Sequence, residues 1–465
     1  MKHLLRLLAP AGCAALAACS VGPAYEPPAT VAPAAWEAPA VAQAYWPPPR
    51  WWEAFSSAEL SALMTTAIEN NPDLDAALAR ILQAQAQAKA AAGVLYPSLS
   101  AGGNASRATS NGTSDPRYSY QGTLNAAYQV DLFGRNSASA AAAEVRSEIS
   151  RYDAETVALT LKADVANTYF QILAIRDRTR LAEEQLRVAE SLLDLIEAQA
   201  RIGVASDLEV AQQRSAIASR RASVLGLQQT EVELRNALAV LLGRLPEGFR
   251  VQSASLDGLV LPGVGAGLPA DLLEHRPDVR QAEASLRAAN LDIAAAAAAR
   301  LPSLQLTGSG GTASDALRHL FSPDTWLTSL AVGLTAPLFQ GGQLEAQQEV
   351  AEARYKELAA TYGGTVLSAF RDVENALSAI DYYGRQYAYT RVALDQAQEA
   401  YRLAQLRYRA GTVDFTTVLN AQQAVFQASD ALVQADLPRY SAVVSLNQAL
   451  GGGWPSPSLV ASTPG

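Results

Sequence analysis

The chain has little of what catalysts and disulfide-stapled domains are built from. It carries two cysteines, Cys13 and Cys19, three histidines and two methionines in 465 residues. Two cysteines so near the N-terminus frame no disulfide scaffold. Beyond residue 20 the only histidines are His275 and His319. There is no HExxH pair, no glycine-rich phosphate loop and no later thiol, so neither a metal cluster nor a nucleophile–base pair is expected, and the chain does not read as an enzyme. Acidic residues outnumber basic ones, 45 to 36, for a net charge of −9. A nucleic-acid partner, which calls for a basic stripe, is therefore not expected. After the first 18 residues no run of 18 apolar residues occurs, so no transmembrane helix is expected. Proline is missing from two long stretches, Asn136–Arg201 and Gln343–Arg409, where glycine is almost missing too.

What is present begins with Lys2 and Arg6 ahead of an apolar run from Leu7 to Ala18. That run is too short to span a bilayer and reads as a secretory signal over residues 1–18. It ends Leu16-Ala17-Ala18-Cys19, a pattern that resembles a bacterial lipobox, which makes Cys19 the lipidation candidate. An ordinary signal peptide with an incidental cysteine is the alternative. With Lys2 and Arg6 removed, the mature chain is about two charges more acidic. Residues 19–50, rich in Pro and Ala, read as an extended lipidated tether. Trp51, Trp52 and Phe55 mark the start of the folded part.

The two proline-free stretches are organising elements. Each would form a helix close to ~100 Å long. Leu181, Gln185, Val188, Leu192, Leu195, Gln199 and Ile202 recur at alternating four- and three-residue steps, as do Leu394, Ala397, Tyr401, Ala404 and Tyr408. That is a coiled-coil seam.

The chain is also a tandem duplication. Asn71-Pro72-Asp73-Leu74 answers to Arg276-Pro277-Asp278-Val279, Pro97-Ser98-Leu99 to Pro302-Ser303-Leu304, and Leu132-Phe133 to Leu338-Phe339. Arg201-Ile202-Gly203 answers to Arg409-Ala410-Gly411, and Leu242-Gly243 to Leu450-Gly451. A near-constant offset of about 205–208 residues marks an internal repeat. The copies span 51–244 and 269–451, joined by a Pro/Gly-rich linker at 245–268 and followed by a flexible tail at 452–465. Each copy reads helix, strand, loop, strand, very long helix, tight turn, long helix. The first helices are expected over Ser57–Ala92 and Pro269–Ala299. The strands are expected at 97–109, 117–132, 302–312 and 325–338, and the helix hairpins at 136–242 and 342–450.

From Tyr118 to Leu132 the even positions are mostly apolar and the odd positions mostly polar. Such alternation over ten or more residues suits a transmembrane barrel with a wet interior, or a soluble antiparallel sheet packed on a helix. Tyr118, Tyr120, Tyr128 and Trp326 near strand ends favour the barrel, as an aromatic girdle. Four strands cannot close a barrel in lipid, so oligomerisation is required. Two copies would give eight strands and a filled interior; three would give twelve and a lumen. The expected fold class is mainly α with a transmembrane β part: long coiled-coil helices plus four strands per chain, forming a trimeric 12-stranded β-barrel continued by a 12-helix α-barrel.

At the far ends, Gly203 and Gly411 suit the left-handed conformation that closes a helix. Ser206 with Glu209 forms a capping-box pattern, and Asp414 is a good N-cap. Arg201, Gly203, Ser206, Arg409, Gly411 and Asp414 thus mark two tight turns, read also as docking tips for a partner.

Together these residues resemble the TolC/OprM superfamily of outer-membrane efflux ducts, in its NodT-like lipoprotein branch. Cys19-Ser20-Val21-Gly22-Pro23-Ala24-Tyr25, Trp51-Trp52, Asn71-Pro72-Asp73-Leu74, Asp131-Leu132-Phe133-Gly134-Arg135, Pro337-Leu338-Phe339, Arg409-Ala410-Gly411 and the closing Leu450-Gly451-Gly452-Gly453-Trp454 carry the likeness. The resemblance implies outer-membrane sorting from Ser20, a homotrimer, a periplasmic membrane-fusion adaptor and an inner-membrane RND-type pump. It also implies a periplasmic gate. Tyr408 matches the family's gate tyrosine, while Thr417, Asn420 and Gln423 stand where charges are usual, so a salt-bridge lock is not expected. The expected function is an outer-membrane, lipid-embedded duct for small molecules, without cofactor beyond the lipid on Cys19. The alternatives are an outlet for type I protein secretion and a non-conducting envelope-spanning lipoprotein.

Overall fold

The computed structural model describes residues 21–29, 32–37, 46–109, 116–263, 266–267 and 269–454. The signal segment, Cys19 and residues 455–465 lie outside the described residues. The elements run α1 (Ala58–Asn70), α2 (Pro72–Ala92), β1 (Ser98–Ala108), β2 (Arg117–Val130), α3 (Arg135–Arg201) and α4 (Asp207–Leu241). After the linker come α5 (Pro277–Ala298), β3 (Ser303–Ser314), β4 (Trp326–Thr335), α6 (Gln343–Arg409) and α7 (Phe415–Ala449). The two longest helices, α3 and α6, have 67 residues each. Among the described residues no helix is long and apolar enough to cross a membrane.

Two compact units divide the chain. Of the described residues, one gathers 21–29, Ala79–Tyr152 and Gln281–Gly364, and the other 32–78, Asp153–Arg280 and Thr365 onward.

The first unit holds a four-stranded antiparallel sheet in the order β1-β2-β3-β4. Leu99 pairs with Ala126, Tyr128 with Leu306, and Leu306 with Val332. Directly paired residues share a face, so the register gathers Leu99, Leu124, Tyr128, Leu304, Leu306, Leu330, Val332 and Leu334 on one side. The other side carries Ser100, Asn104, Gln121, Asn125, Gln129, Gln305 and Ser309. The apolar side is exposed in the single chain, Leu330 at 86 % and Leu334 at 69 %. β4 stops at Thr335, short of the expected residue 338, because Pro337 supplies no N–H to the ladder; Leu338 follows at 95 % exposed. Gly311 lies so close to β2 that an added Cβ would sit 2.3 Å from the carbonyl oxygen of Gly122.

In the second unit the expected first helices each break at the residue before a proline, as the clash of the Pro ring with a helical predecessor requires. Asn71 turns extended, and its Oδ1 accepts the N–H groups of Asp73 and Leu74 to cap α2. Its Nδ2 donates to the carbonyl of Leu241, the last residue of α4, at 2.9 Å. In the second copy Arg276 takes this place and donates to the carbonyl of Ala449, the last residue of α7, at 3.1 Å. Gly243 and Gly451 complete the joint: a Cβ there would fall 2.0 Å from the oxygen of Asn70 and 1.9 Å from that of His275. Duplicated helix breaks thus hold duplicated helix ends.

The described residues of the linker are packed onto the fold. Val251 and Leu256 are buried, and the carboxylate of Glu59 accepts the N–H groups of Gln252 and Ser253. Arg176 donates to the carbonyls of Val251 and Ser253. Described parts of the tether are likewise seated. Trp36 donates to the carbonyl of Gly267 at 2.7 Å, and Trp46 stacks on His275 at 4.2 Å. Trp51, Trp52, Phe55 and Phe170 lie in the core, with the Phe55 and Phe170 rings 4.9 Å apart.

The seam expected in α3 is displaced by one residue in half of its positions. Ala182, Ala189 and Ile196 are buried, while Val188, Leu195 and Ile202 face out. Alanine at 182 and 189 lets the neighbouring helix approach, which leaves the larger aliphatics on the outer side. In α6 the expected positions Leu394, Ala397, Tyr401, Ala404 and Tyr408 are all buried or half-buried.

Candidate functional site: the paired helix tips

α3 and α6 end in the same way. Gly203 has φ +75° and Gly411 φ +70°. The N–H of Val204 reaches the carbonyl of Gln199 and that of Gly203 the carbonyl of Ala200; Thr412 and Gly411 repeat this with Arg407 and Tyr408. These paired bonds are the Schellman closure, which satisfies carbonyls that the helix leaves free. At the start of α4, Ser206 and Glu209 form a reciprocal capping box. At the start of α7, Asp414 accepts the N–H of Thr417 at 2.9 Å and its hydroxyl at 2.6 Å. Those two hydrogen bonds hold the Asp414 carboxyl below its ordinary range.

The two tips pack against each other. Ile196 from α3 joins Ala404 of α6 and Phe415 and Val418 of α7 in one buried cluster, flanked by Leu192, Val210, Tyr401 and Tyr408. The Tyr408 ring lies 5.9 Å from that of Phe415 at 61°, and its hydroxyl donates to Oε1 of Gln199 at 3.3 Å. Burial, with the charge of Glu209 second, pushes the Tyr408 phenol up. A groove of about 610 Å³ opens beside it, lined by Leu195, Val204, Glu209, Tyr408 and Arg409.

The candidate gate residues are not all brought together. Tyr408 bridges the two hairpins, but Thr417 is committed to the cap of its own helix. Asn420 and Gln423 are exposed, and among the described residues neither side chain hydrogen-bonds within the chain. Arg201 and Arg409 are exposed at the tips, each beside its glycine. Two features were not singled out from sequence. Gln199 counts there only as a polar seam position, although it sits in the last turn of α3, four residues before Gly203, as Tyr408 sits in the last turn of α6, three residues before Gly411. The first tip also exposes Ile202, Val204 and Leu208 at 75, 70 and 66 %, whereas the second shows Ala410 and Thr412.

On the sheet, Tyr118 and Tyr120 stack at 6.5 Å and 4°, and the Arg107 guanidinium lies 5.6 Å over Tyr118. Gly122 pairs with Thr312 and Thr312 with Trp326, so Trp326 shares this face and this end. Tyr128 is on the same face at the opposite end. The aromatics therefore bracket the apolar face at both ends, as two membrane interfaces demand.

A sheet with one apolar face, one polar face and aromatics at both ends, in a chain of paired 67-residue helices, defines a channel subunit of an outer membrane. The chain belongs to the outer membrane efflux protein family, whose model matches residues 63–244 and 268–452. It is 39 % identical over 470 residues to the pyoverdine export outer membrane protein OpmQ of Pseudomonas aeruginosa, covering 98 % of both chains. It is 34 % identical over 465 residues to the toluene efflux pump outer membrane protein TtgC of Pseudomonas putida, covering 94 % of this chain and 93 % of that one. Among solved structures, the open state of the Neisseria gonorrhoeae MtrE outer membrane channel matches with TM-score 0.86 and 31 % identity, over 94 % of this chain and 98 % of that one. Its place is accordingly the outer membrane, extending into the periplasm, and its work is efflux, as the outer-membrane channel of a pump.

Proposed function

We propose that three copies close a twelve-stranded barrel and a tube of twelve long helices, whose tips receive a periplasmic membrane-fusion adaptor carried by an inner-membrane RND-type pump. The observation that carries this reading is the register of the sheet. It separates apolar from polar side chains across all four strands yet leaves β1 and β4 with unpaired edges. Lipid tolerates no open edge, and a partner copy offers β4 to β1. The outward stripe of Val188, Leu195 and Ile202 gives the helices an apolar surface for the same neighbour. The lipid on Cys19 anchors the chain beside the barrel. Neither a cofactor nor a catalytic step enters this reading.

Ile202, Val204 and Leu208 make the first tip the apolar contact for the adaptor, with Arg201 and Arg409 at its rim. Tyr408, held by Gln199, is the resting constriction, and Asn420 and Gln423 offer amides to a neighbouring copy. The cargo is small molecules; peptide siderophores of the pyoverdine kind are the class to assay first, given what the 39 % identical relative exports.

The test is single-channel conductance of the purified protein in a planar bilayer, with its oligomeric mass measured in detergent. A trimer with small, flickering conductance is expected. A trimer with large steady conductance keeps the duct and removes the resting gate. A monomer that does not insert overturns the barrel.

A further inference from the structure

Above the tips, α4 turns Gln213, Ile217, Arg220 and Val224 inward. Their four–three–four spacing is that of a packed seam, so Arg220 stands where an aliphatic residue is usual. It is 5 % exposed, and its Nε, Nη1 and Nη2 are all buried without an acceptor among the described residues. No carboxylate among the described residues acts on it. The groups that face it are the phenol of Tyr401, on α6, and the ring of Phe426, on α7, whose centroid lies 5.6 Å from Cζ. Gln422, one turn from Phe426 on the same face of α7, is 1 % exposed, borders Tyr401, and has both amide atoms buried without a partner of normal geometry.

A guanidinium keeps its charge at any pH a protein survives. Burying such a charge with neither counter-charge nor hydrogen bonds is among the costliest things a fold can do. The Phe426 face offsets part of that cost through its quadrupole, but it offers no acceptor to five N–H groups. The three nitrogens have no surface left that a neighbouring copy or a water molecule can reach, so an acceptor enters only as the two hairpins part locally. What the cluster lacks is a small negative species between the two hairpins. What it has is a cationic fork and, against the Tyr401 phenol, the amide of Gln422.

We propose that Arg220 anchors a buried site for a small inorganic anion of the halide class, with Gln422 and Tyr401 as further donors. The anion bridges α4 of the first repeat to α6 and α7 of the second and braces the hairpins against each other. Nothing in this depends on the cargo or on the adaptor.

The experiment is thermal unfolding of the full-length protein in detergent, with chloride replacing gluconate at constant ionic strength. The wild type is expected to gain on the order of 2–4 °C, saturably, as chloride fills the site. Arg220→Met should lose that gain while remaining folded, since an apolar side chain of similar length suits a seam position. If Arg220→Met does not fold, Gln422→Met serves instead and should raise the half-saturating chloride several-fold. Crystals grown in bromide should show an anomalous peak within hydrogen-bond distance of the Arg220 guanidinium. An equal salt response in wild type and variant, or a bromide map with only water beside Arg220, overturns the site.

Discussion

The hydroxyl of Tyr408 and the side-chain oxygen of Gln199 meet at 3.3 Å, one turn above the glycines that end α6 and α3. Each residue belongs to a different repeat, so this one bond ties the two hairpins at the narrow end of the proposed duct. Both partners are uncharged at neutral pH. A neutral bond of this kind contributes about 1 kcal/mol, roughly fivefold in an equilibrium. Tyr408→Phe should therefore raise the open fraction in single-channel records by about that factor per copy. Gln199→Leu should do the same, and the double variant no more than either alone. Unchanged records would remove the pair from the gate.

Gly203 and Gly411 have open space around them: apart from their own chain neighbours, no atom of the described residues lies within 4 Å of an added Cβ. Replacement by valine is thus penalised by the backbone alone, by about 1–2 kcal/mol at each positive φ. Too little is lost to unfold the chain, but the tips change shape. The double variant should still form trimers in the membrane while adaptor co-purification and export fail. Export at the wild-type level would dissociate the tips from docking.

Gly311 and Gly310 are neighbours in β3 with opposite tolerances. A Cβ at 311 meets the Gly122 oxygen at 2.3 Å and the Thr123 Cα at 2.9 Å, whereas one at 310 touches only a Thr328 methyl at 3.9 Å. Gly311→Ala should force β2 and β3 apart and lower the amount of assembled protein in the outer membrane; Gly310→Ala should leave it unchanged. Heat-stable oligomer on a gel reads both, and equal behaviour would contradict the strand spacing.

Glu59 ties the linker to the fold, and the tie titrates. Burial pushes its carboxyl up, but hydrogen bonds from the Gln252 and Ser253 N–H groups and the Ser253 and Tyr169 hydroxyls together outweigh burial and leave it below its ordinary value of 4.5. A carboxyl depressed in the folded state stabilises above the unfolded value and loses that contribution as pH falls through the folded one. The unfolding midpoint of the wild type should drop below about pH 4.5. Glu59→Gln should be less stable at pH 7 and should lack that part of the acid slope. Parallel acid profiles would show that the linker clip is not held by the carboxylate.

The strands were legible because period two survives any register, and the long helices because proline is absent from both. The breaks at Asn71 and Arg276 were missed, although both stand in repeated X-Pro pairs, and their reach to Leu241 and Ala449 spans 170 and 173 residues and leaves no local pattern. The α3 seam was misplaced by one residue because the 181/188/195 and 182/189/196 rows are both apolar. Only packing shows that the alanines go inside. Thr417 was named as a gate position from the family resemblance alone; its hydroxyl and N–H serve the Asp414 cap, the ordinary role of a hydroxyl three residues after an aspartate. Arg220 reads in sequence as one more charge on a wet helix; only the second hairpin covers it.

The unpaired edges of β1 and β4 have a consequence for the cell. In the proposed trimer each copy needs a neighbour on both sides before any of them can rest in lipid, so insertion and assembly are expected to be a single event and a lone subunit a substrate for periplasmic proteases. A copy with one edge blocked, for instance by proline within β4, would still accept a neighbour on its other edge and hold it in an unclosable pair. Expressed beside the intact chain, it would act as a poison subunit and deplete export out of proportion to its share of the pool.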